Sequence, residues 1–332
     1  MTELKPVKAT SDSLFYDHME SQSGRCLAVI YRPFDPDSKW DWSDRGHILD
    51  YLHATRAEGT RVLDFGPGDG WPSLHLAKWA SEVVGVDASA RRVEECRRNA
   101  ERLGTHNAKF VKIGSDCRLP FEDCVFDAAT AASSVEQTPD PLVALSQIRR
   151  VLRPGGRLRI HYEALSGYAG RAEHDVWLID QKRDGAPARL VIYARDIEGE
   201  KCMHFSIDLD MAVQDVVRSF IGGAGGTNLV RYEHVTVERL QALRGRITGA
   251  MWMELSHPSG GSMVSLLRQA GFTEVIPSES GGRAALKLFN SLSQEQRPRD
   301  IDGIDRLLTP AVQEALSTVK PPEEDPMITA VK

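Results

Sequence analysis

Residues 62–71 read Val62-Leu63-Asp64-Phe65-Gly66-Pro67-Gly68-Asp69-Gly70-Trp71, and their reading decides the fold. Two apolar residues run into an acid and a phenylalanine, then into three glycines at alternate positions. Val62 to Phe65 has the character of a buried parallel strand, and the glycines make the tight turn that follows it. Ser73 to Ser81 then carries Leu74, Leu76, Ala77 and Ala80 at helix-like spacing. Strand, glycine turn and helix together open an α/β sheet that takes a ligand against bare backbone at the strand's carboxyl end. A dinucleotide turn of the form G-x-G-x-x-G needs its third glycine at position 71, where Trp71 stands.

Working outward, Glu82 to Val86 is a second strand ending in Asp87. An acid there, about 20 residues after the turn, is placed to accept hydrogen bonds from both hydroxyls of a ribose. Arg91 to Leu103 reads as a helix with Val93, Cys96, Ala100 and Leu103 on one side. Ala108 to Ile113 is a third strand, followed by Gly114-Ser115-Asp116-Cys117. Leu119-Pro120-Phe121-Glu122-Asp123-Cys124-Val125-Phe126-Asp127 leads into an apolar strand, Ala128 to Ala132. A helix within Gln137 to Leu152 ends at Leu152-Arg153-Pro154-Gly155-Gly156, and Arg157 to Glu163 is the next strand.

Asp64 with its three glycines, then Asp87, then the Gly-Ser-Asp-Cys segment with Leu-Pro-Phe, then Leu-Arg-Pro-Gly-Gly resemble the ordered motifs of class I S-adenosylmethionine-dependent methyltransferases. The Leu-Pro-Phe-x-Asp-x-x-Phe-Asp run is similar to the branch containing the ubiquinone and menaquinone biosynthesis methyltransferases. The resemblance covers residues 55–164 and resumes near 260–290. It implies an α/β fold with a seven-stranded doubly wound sheet and an antiparallel final hairpin. It also implies S-adenosyl-L-methionine as cofactor, with S-adenosyl-L-homocysteine as product. Asp64 is then expected to hold the amino end of the methionine moiety, and Gly66, Pro67, Gly68 and Gly70 to bring backbone to its carboxylate and ribose. Asp87 and Ala88 are expected at the ribose, Ser115, Asp116 and Cys117 at the adenine, and Ser133 and Ser134 beside the transferred methyl. The resemblance says little about the acceptor, because function lives in the site grafted on the fold.

The chain has 332 residues, 27% charged and 41% hydrophobic, with a formal net charge of -6. No apolar run approaches the roughly 20 residues of a bilayer span, and the amino terminus lacks an apolar signal centre. Five cysteines without a C-x-x-C pair argue against a disulfide framework or a zinc knuckle, so a cytoplasmic location is expected. Arginines 91, 92, 97 and 98 alternate with Glu94, Glu95 and Glu101, which is a solvated helix face rather than a nucleic-acid stripe. The expected partner is therefore a small-molecule acceptor, with no nucleic acid and no membrane span.

Residues 1–54 form an expected lid or cap, with a helix over Asp12 to Ser21, a strand or buried segment over Cys26 to Tyr31, a structured loop over Arg32 to Ser43 and a helix over Asp44 to His53. Tyr16, Trp40 and Trp42 are candidates to cover a ligand, although aromatics so placed more often pack a helix onto a sheet. Residues 55–164 are the cofactor-binding core, 165–258 an inserted small α+β subdomain, 259–290 the end of the core sheet and 291–332 a tail. The insertion is far longer than a plain connection requires. It reads as a meander of Val176 to Ile179, Arg189 to Tyr193 and Cys202 to Ile207, then a helix from Met211 to Ile221, and it is expected to build the acceptor pocket or a homodimer contact. Ser262 to Ala270 reads as a helix, and Thr273 to Ile276 with Ala284 to Phe289 as the final hairpin across Gly281-Gly282. The tail carries one helix, Pro310 to Val319, and its last dozen residues read as disordered or as cover for a neighbouring surface.

A hydroxyl or amine acceptor must lose a proton, and much of the rate can come from orientation alone. Glu163 and His161, at the tip of the fifth strand, are the expected proton-handling residues, and Trp71, Glu136 and Tyr16 the expected acceptor contacts. No cluster of the metal-ligating type appears. A non-catalytic cofactor sensor and a nicotinamide oxidoreductase remain as alternative readings.

Overall fold

Apolar β-branched strands separated by capped helices dictate an α/β core, and the computed structural model has one. It describes residues 7–8, 33–162, 174–179, 188–221, 230–324 and 326–332. Two compact units result, one from residues 25–164 with 258–332, the other from residues 1–24 with 165–257.

In the first unit, helix α1 (Lys39–Thr55) precedes β2 (Arg61–Phe65), and a short helix α2 (Ser73–Leu76) follows the glycine turn. Strand β1 (Val7–Lys8) belongs to the other unit. Then come β3 (Glu82–Asp87), α3 (Ala90–Leu103), β4 (Ala108–Lys112), β5 (Phe126–Ala132), α4 (Pro141–Val151) and β6 (Leu152–His161). Asp140 caps α4 by accepting from the amides of Leu142 and Val143, at 3.0 and 3.2 Å, with Pro141 at the first helical position.

The inserted unit adds β7 (His174–Ile179), β8 (Ala188–Asp196), β9 (Lys201–Leu209), α5 (Val213–Ile221), α6 (Val237–Ala242) and β10 (Ile247–Ser256). Its sheet runs β1-β10-β9-β8-β7. The three expected meander strands are present and antiparallel, and β10 is a fourth that sequence reading passed over. The run Ala250-Met251-Trp252-Met253-Glu254-Leu255 has no strand-like alternation, and pairing with β9 decides it. On one face Leu190, Leu209, Val216, Phe220 and Val230 form this unit's own core.

The first unit closes with α7 (Gly260–Gln269), β11 (Glu274–Ser278), α8 (Gly281–Ser291), α9 (Ile301–Ser317) and β12 (Met327–Val331). Its seven strands lie in the order β11-β12-β6-β5-β2-β3-β4, parallel from β6 to β4 and antiparallel at β11 and β12. The expected fold class is therefore observed. Helices α4 and α7 cover one face through Leu145, Ile148, Met263 and Leu267. On the other, α1, α8 and α9 bring in Trp42, Ile48, Phe289, Ile304 and Leu308.

Five expectations need correction. Residues 284–289 are helix, not strand: Ser280 caps α8, and Gly281 and Gly282 serve close packing, not a hairpin turn. A Cβ on Gly281 would stand 2.4 Å from the Gly46 carbonyl oxygen, so α1 and α8 cross with their backbones almost touching. The partner of β11 is instead β12, so the end of the tail is an ordered strand between β11 and β6, with Ile328 and Ala330 fully buried. Finally, α1 begins at Lys39, so Trp40 and Trp42 are helical: Trp42 packs in the core edge-on to Phe289, while Trp40 is exposed. Polar residues buried all round α1 hide its start from a periodicity argument. The tail helix is also longer than expected, and Ser73 to Ser81 is helical only to Leu76. The segments 12–21 and 26–31 lie outside the described residues. Among the described residues no helix is long and apolar enough to cross a membrane, and no metal-holding group of His, Cys, Asp or Glu occurs.

Candidate functional site

The glycine turn sits at the carboxyl end of β2, in the middle of the sheet, where strand order reverses between β3 and β5. Its three glycines do different jobs. A Cβ on Gly66 would strike the Ser134 Cβ at 2.4 Å, and one on Gly70 the Leu74 side chain at 2.6 Å. These two glycines let the turn pack against protein. Gly68, at φ +59°, has nothing within 4 Å of where a Cβ would stand. It alone of the three presents bare backbone to open space, as a ligand cradle requires.

Below the turn, α3 holds its carbonyls: Cys96 Sγ donates to the Gly68 oxygen at 3.2 Å and Asn99 Nδ2 to the Asp69 oxygen at 2.7 Å. Sequence reading placed Cys96 only on an apolar helix face and did not single out Asn99. Across the strand tips, the Gly66 amide donates to the Val86 oxygen and Ser134 Oγ to the Phe65 oxygen, at 2.8 and 2.6 Å.

The three acids differ in setting. Asp64 is fully buried, accepting from Ser73 Oγ at 2.5 Å and Thr130 Oγ1 at 3.0 Å. Burial raises its carboxyl to about 7, the two hydroxyls opposing and Asp87 reinforcing the shift. Asp87, half-buried at the end of β3, accepts from the Ser89 amide at 2.8 Å. Asp116 is exposed in the loop after β4, 3.5 Å from Arg118 Nε. Ala88 and Ser115 are half-buried beside these last two, Pro67 is buried in the turn, and Cys117 is buried with φ +55°.

Beyond the turn, at the tips of β5 and β6, Ser133 has φ +48° and its amide donates to the His161 oxygen at 2.7 Å. A left-handed serine at a strand tip is the kind of local strain that accompanies functional sites. Ser133 Oγ lies 3.4 Å from His161 Nδ1. Glu136 is fully buried, and Trp71 is half-buried. Tyr16 and Glu163 lie outside the described residues. Sequence reading missed two neighbours supplied by α1. His47 lies 5.2 Å from His161 and 6.4 Å from Trp71, centroid to centroid, and Tyr51 lies 5.9 Å from Trp71. Their separation by four residues, which puts them on one helix face, was the available signal.

Residues 63–160 match the model of a methyltransferase domain family. The chain carries a class I S-adenosylmethionine-dependent methyltransferase domain. Demethylmenaquinone methyltransferase of Beutenbergia cavernae is 37% identical to it over 133 residues, 37% of this chain and 52% of that protein. The 27-O-demethylrifamycin SV methyltransferase of Amycolatopsis mediterranei is 34% identical over 104 residues, 31% of this chain and 38% of that protein. The methyltransferase domain thus spans about half or less of these relatives' length. The CcbJ methyltransferase of Streptomyces caelestis shares the fold at 15% identity, with a TM-score of 0.52 covering 96% of this chain and 97% of that one. The family implies S-adenosylmethionine as the cofactor, and the open cradle above Gly68 fits a ligand that lies on bare backbone.

Proposed function

We propose that this chain transfers a methyl group from S-adenosylmethionine to a small-molecule acceptor. The observation that carries the reading is the open backbone at Gly68 after β2, with Asp87 ending the adjacent parallel strand β3 and Asp116 in the loop that follows β4. When bound, the cofactor supplies a methyl group already activated on a sulfonium. Asp87 would accept from the ribose hydroxyls, and Asp116 with the Cys117 backbone would receive the adenine. Asp64, whose oxygens brace Ser73 and Thr130, would act on the ammonium end through the turn it supports. Ser133, Trp71 and His161 would border the acceptor, with Glu163 as the further proton-handling residue.

Gly68→Val tests this reading. A valine at φ +59° costs about 1–2 kcal/mol in backbone strain, yet its Cβ meets nothing within 4 Å. The variant is expected to stay folded by circular dichroism and to lose calorimetric binding of S-adenosylhomocysteine by about 100-fold or more, roughly 2.7 kcal/mol. Unchanged affinity would sink the proposed cradle. Wild-type binding with no transfer of labelled methyl to any compound in an acceptor panel would favour a non-catalytic sensor.

Asp64 adds a pH signature. Its folded carboxyl is raised from 3.8 to about 7, so its contribution to stability is present below about pH 4 and is lost as pH rises through 7. Asp64→Asn is expected to flatten the wild-type fall in melting temperature between pH 4 and 8. Parallel slopes for the two proteins would contradict it.

A further inference from the structure

The edge of a β-sheet offers backbone amides and carbonyls to any strand that comes beside it, and natural sheets blunt their edges against such pairing. Among the described residues four strands stand at edges: β4 and β11 in the first unit, β1 and β7 in the second. Three of them are blunted. On β4, Lys109 and Lys112 are exposed. β11 contains Pro277, and the chain after α9 lies along it: the Lys320 amide donates to the Pro277 carbonyl at 3.1 Å, and Val319 bridges to Ser278. β1 is two residues long.

β7 carries none of these devices. It reads His174-Asp175-Val176-Trp177-Leu178-Ile179, without lysine or proline, and its register against β8 runs from end to end without a bulge. Its one carboxylate is already paired, since Arg195 of β8 donates to Asp175 at 2.6 Å. Aromatic surface flanks the strand on both faces of the sheet. Side chains alternate along a strand, so His174 and Trp177 project to opposite faces. Trp177 is 57% exposed, and on the other face Tyr232, 45% exposed, stacks on His174 at 3.8 Å. A regular, apolar edge of this length is one that needs a cover.

We propose that β7 pairs antiparallel with β7 of a second copy, about a two-fold axis that joins the two five-stranded sheets into one. The inference stands apart from the methyl-transfer reading, and it gives the insertion the homodimer contact as its role. The strand's own sequence points to a second copy and sets the register. An axis normal to the sheet keeps each face on its own side, so odd positions meet odd ones and even positions meet even ones. Centred on Trp177, the pair sets Trp177 against Trp177 and Val176 against Leu178, with Asp175 opposite position 179. Apolar side chains then meet apolar ones on both faces, and no like charges oppose. Centring on Val176 would set Asp175 against Trp177, and centring on Asp175 would oppose two carboxylates. Such a self-complementary contact closes at two copies, because each uses its one unblunted edge among the described residues.

The test is the mass of the full chain in solution, by light scattering on a sizing column at about 100 µM, above the micromolar range of a weak interface. Twice the monomer mass is expected. Trp177→Lys, which gives β7 the device that β4 has, is expected to halve that mass and leave the circular dichroism spectrum unchanged. Trp177→Cys is expected to form a disulfide between copies on mild oxidation, absent from the wild type. Directly opposed residues lie about 4.5–5.5 Å apart at Cα, within reach of the bond. Val176→Cys stays unlinked, because in this register it lies about 7–8 Å from its counterpart. A wild-type monomer would mean that something other than a second copy covers the edge, and it overturns the proposal. So does an assembly of more than two copies, a dimer that survives Trp177→Lys, or cross-linking that does not single out position 177.

Discussion

Deletion of residues 326–332 is expected to abolish the cooperative fold of the first unit. Those residues contain β12, which is inserted between β11 and β6 and not laid on the rim of the sheet. Removing it uncovers the edge of β6 along Arg157, Leu158, Arg159 and Ile160 and leaves β11 without its only strand partner among the described residues. Met327, Ile328 and Ala330 are all within 1% of full burial. At about 1.5–3 kcal/mol for each large apolar side chain, plus the lost ladder, the deletion removes roughly 5 kcal/mol or more, comparable with the whole stability of a typical domain. The Lys332 ammonium, which donates to the Arg150 and Leu152 carbonyls at 3.0 and 2.6 Å, is lost as well. Aggregation on expression, or a melt without a sigmoidal transition, is the expected result. A truncated chain melting within a few degrees of the full one would show that β12 is dispensable.

The second large effect is expected at Asp50. Its carboxylate on α1 faces Arg159 on β6, both fully buried. Arg159 Nε and Nη2 donate to the two carboxylate oxygens at 2.6 and 2.9 Å, Nη1 donates to Ser278 Oγ and Thr329 Oγ1, and the Gly281 amide adds a 2.6 Å bond to Asp50. One buried charge pair thus ties α1, β6, β11, β12 and the start of α8 together. Asp50→Ala leaves a guanidinium uncompensated in the core and should cost about 3–5 kcal/mol. Replacing both partners, as in Asp50→Leu with Arg159→Met, should cost much less than the two single changes combined, because no orphaned charge remains. Urea unfolding of the four proteins measures this cycle. Additive losses would mean that the pair is not coupled as its geometry requires.

These two results also separate what was legible in the chain from what was not. Helix α3 was readable nearly to the residue, because Ser89 caps it, Gly104 ends it in a left-handed conformation and its apolar positions recur at helical spacing. The glycine turn after β2 and the acid at the end of β3 were readable for a similar reason: an acid at a strand tip and glycines in a turn are local solutions, written within a few residues of one another. Residues 284–289 were misread because two glycines look the same before a hairpin and at a close helix crossing. Only the approach of Gly46 from α1 distinguishes them. The last strand was missed because its pairing partners lie more than 160 residues upstream at β6 and about 50 residues upstream at β11.

By itself, then, the sequence determined the parallel strands, the glycine turn, the acids at the strand ends and hence the kind of ligand to expect, because each follows from short-range sterics and periodicity. Tertiary structure alone decided that Gly68 is the one turn glycine with open space above it, that Asp64 is turned inward, and that His47 meets His161. Those are contacts between segments far apart in the chain, set by how helices cross and sheets close, and no local pattern encodes them.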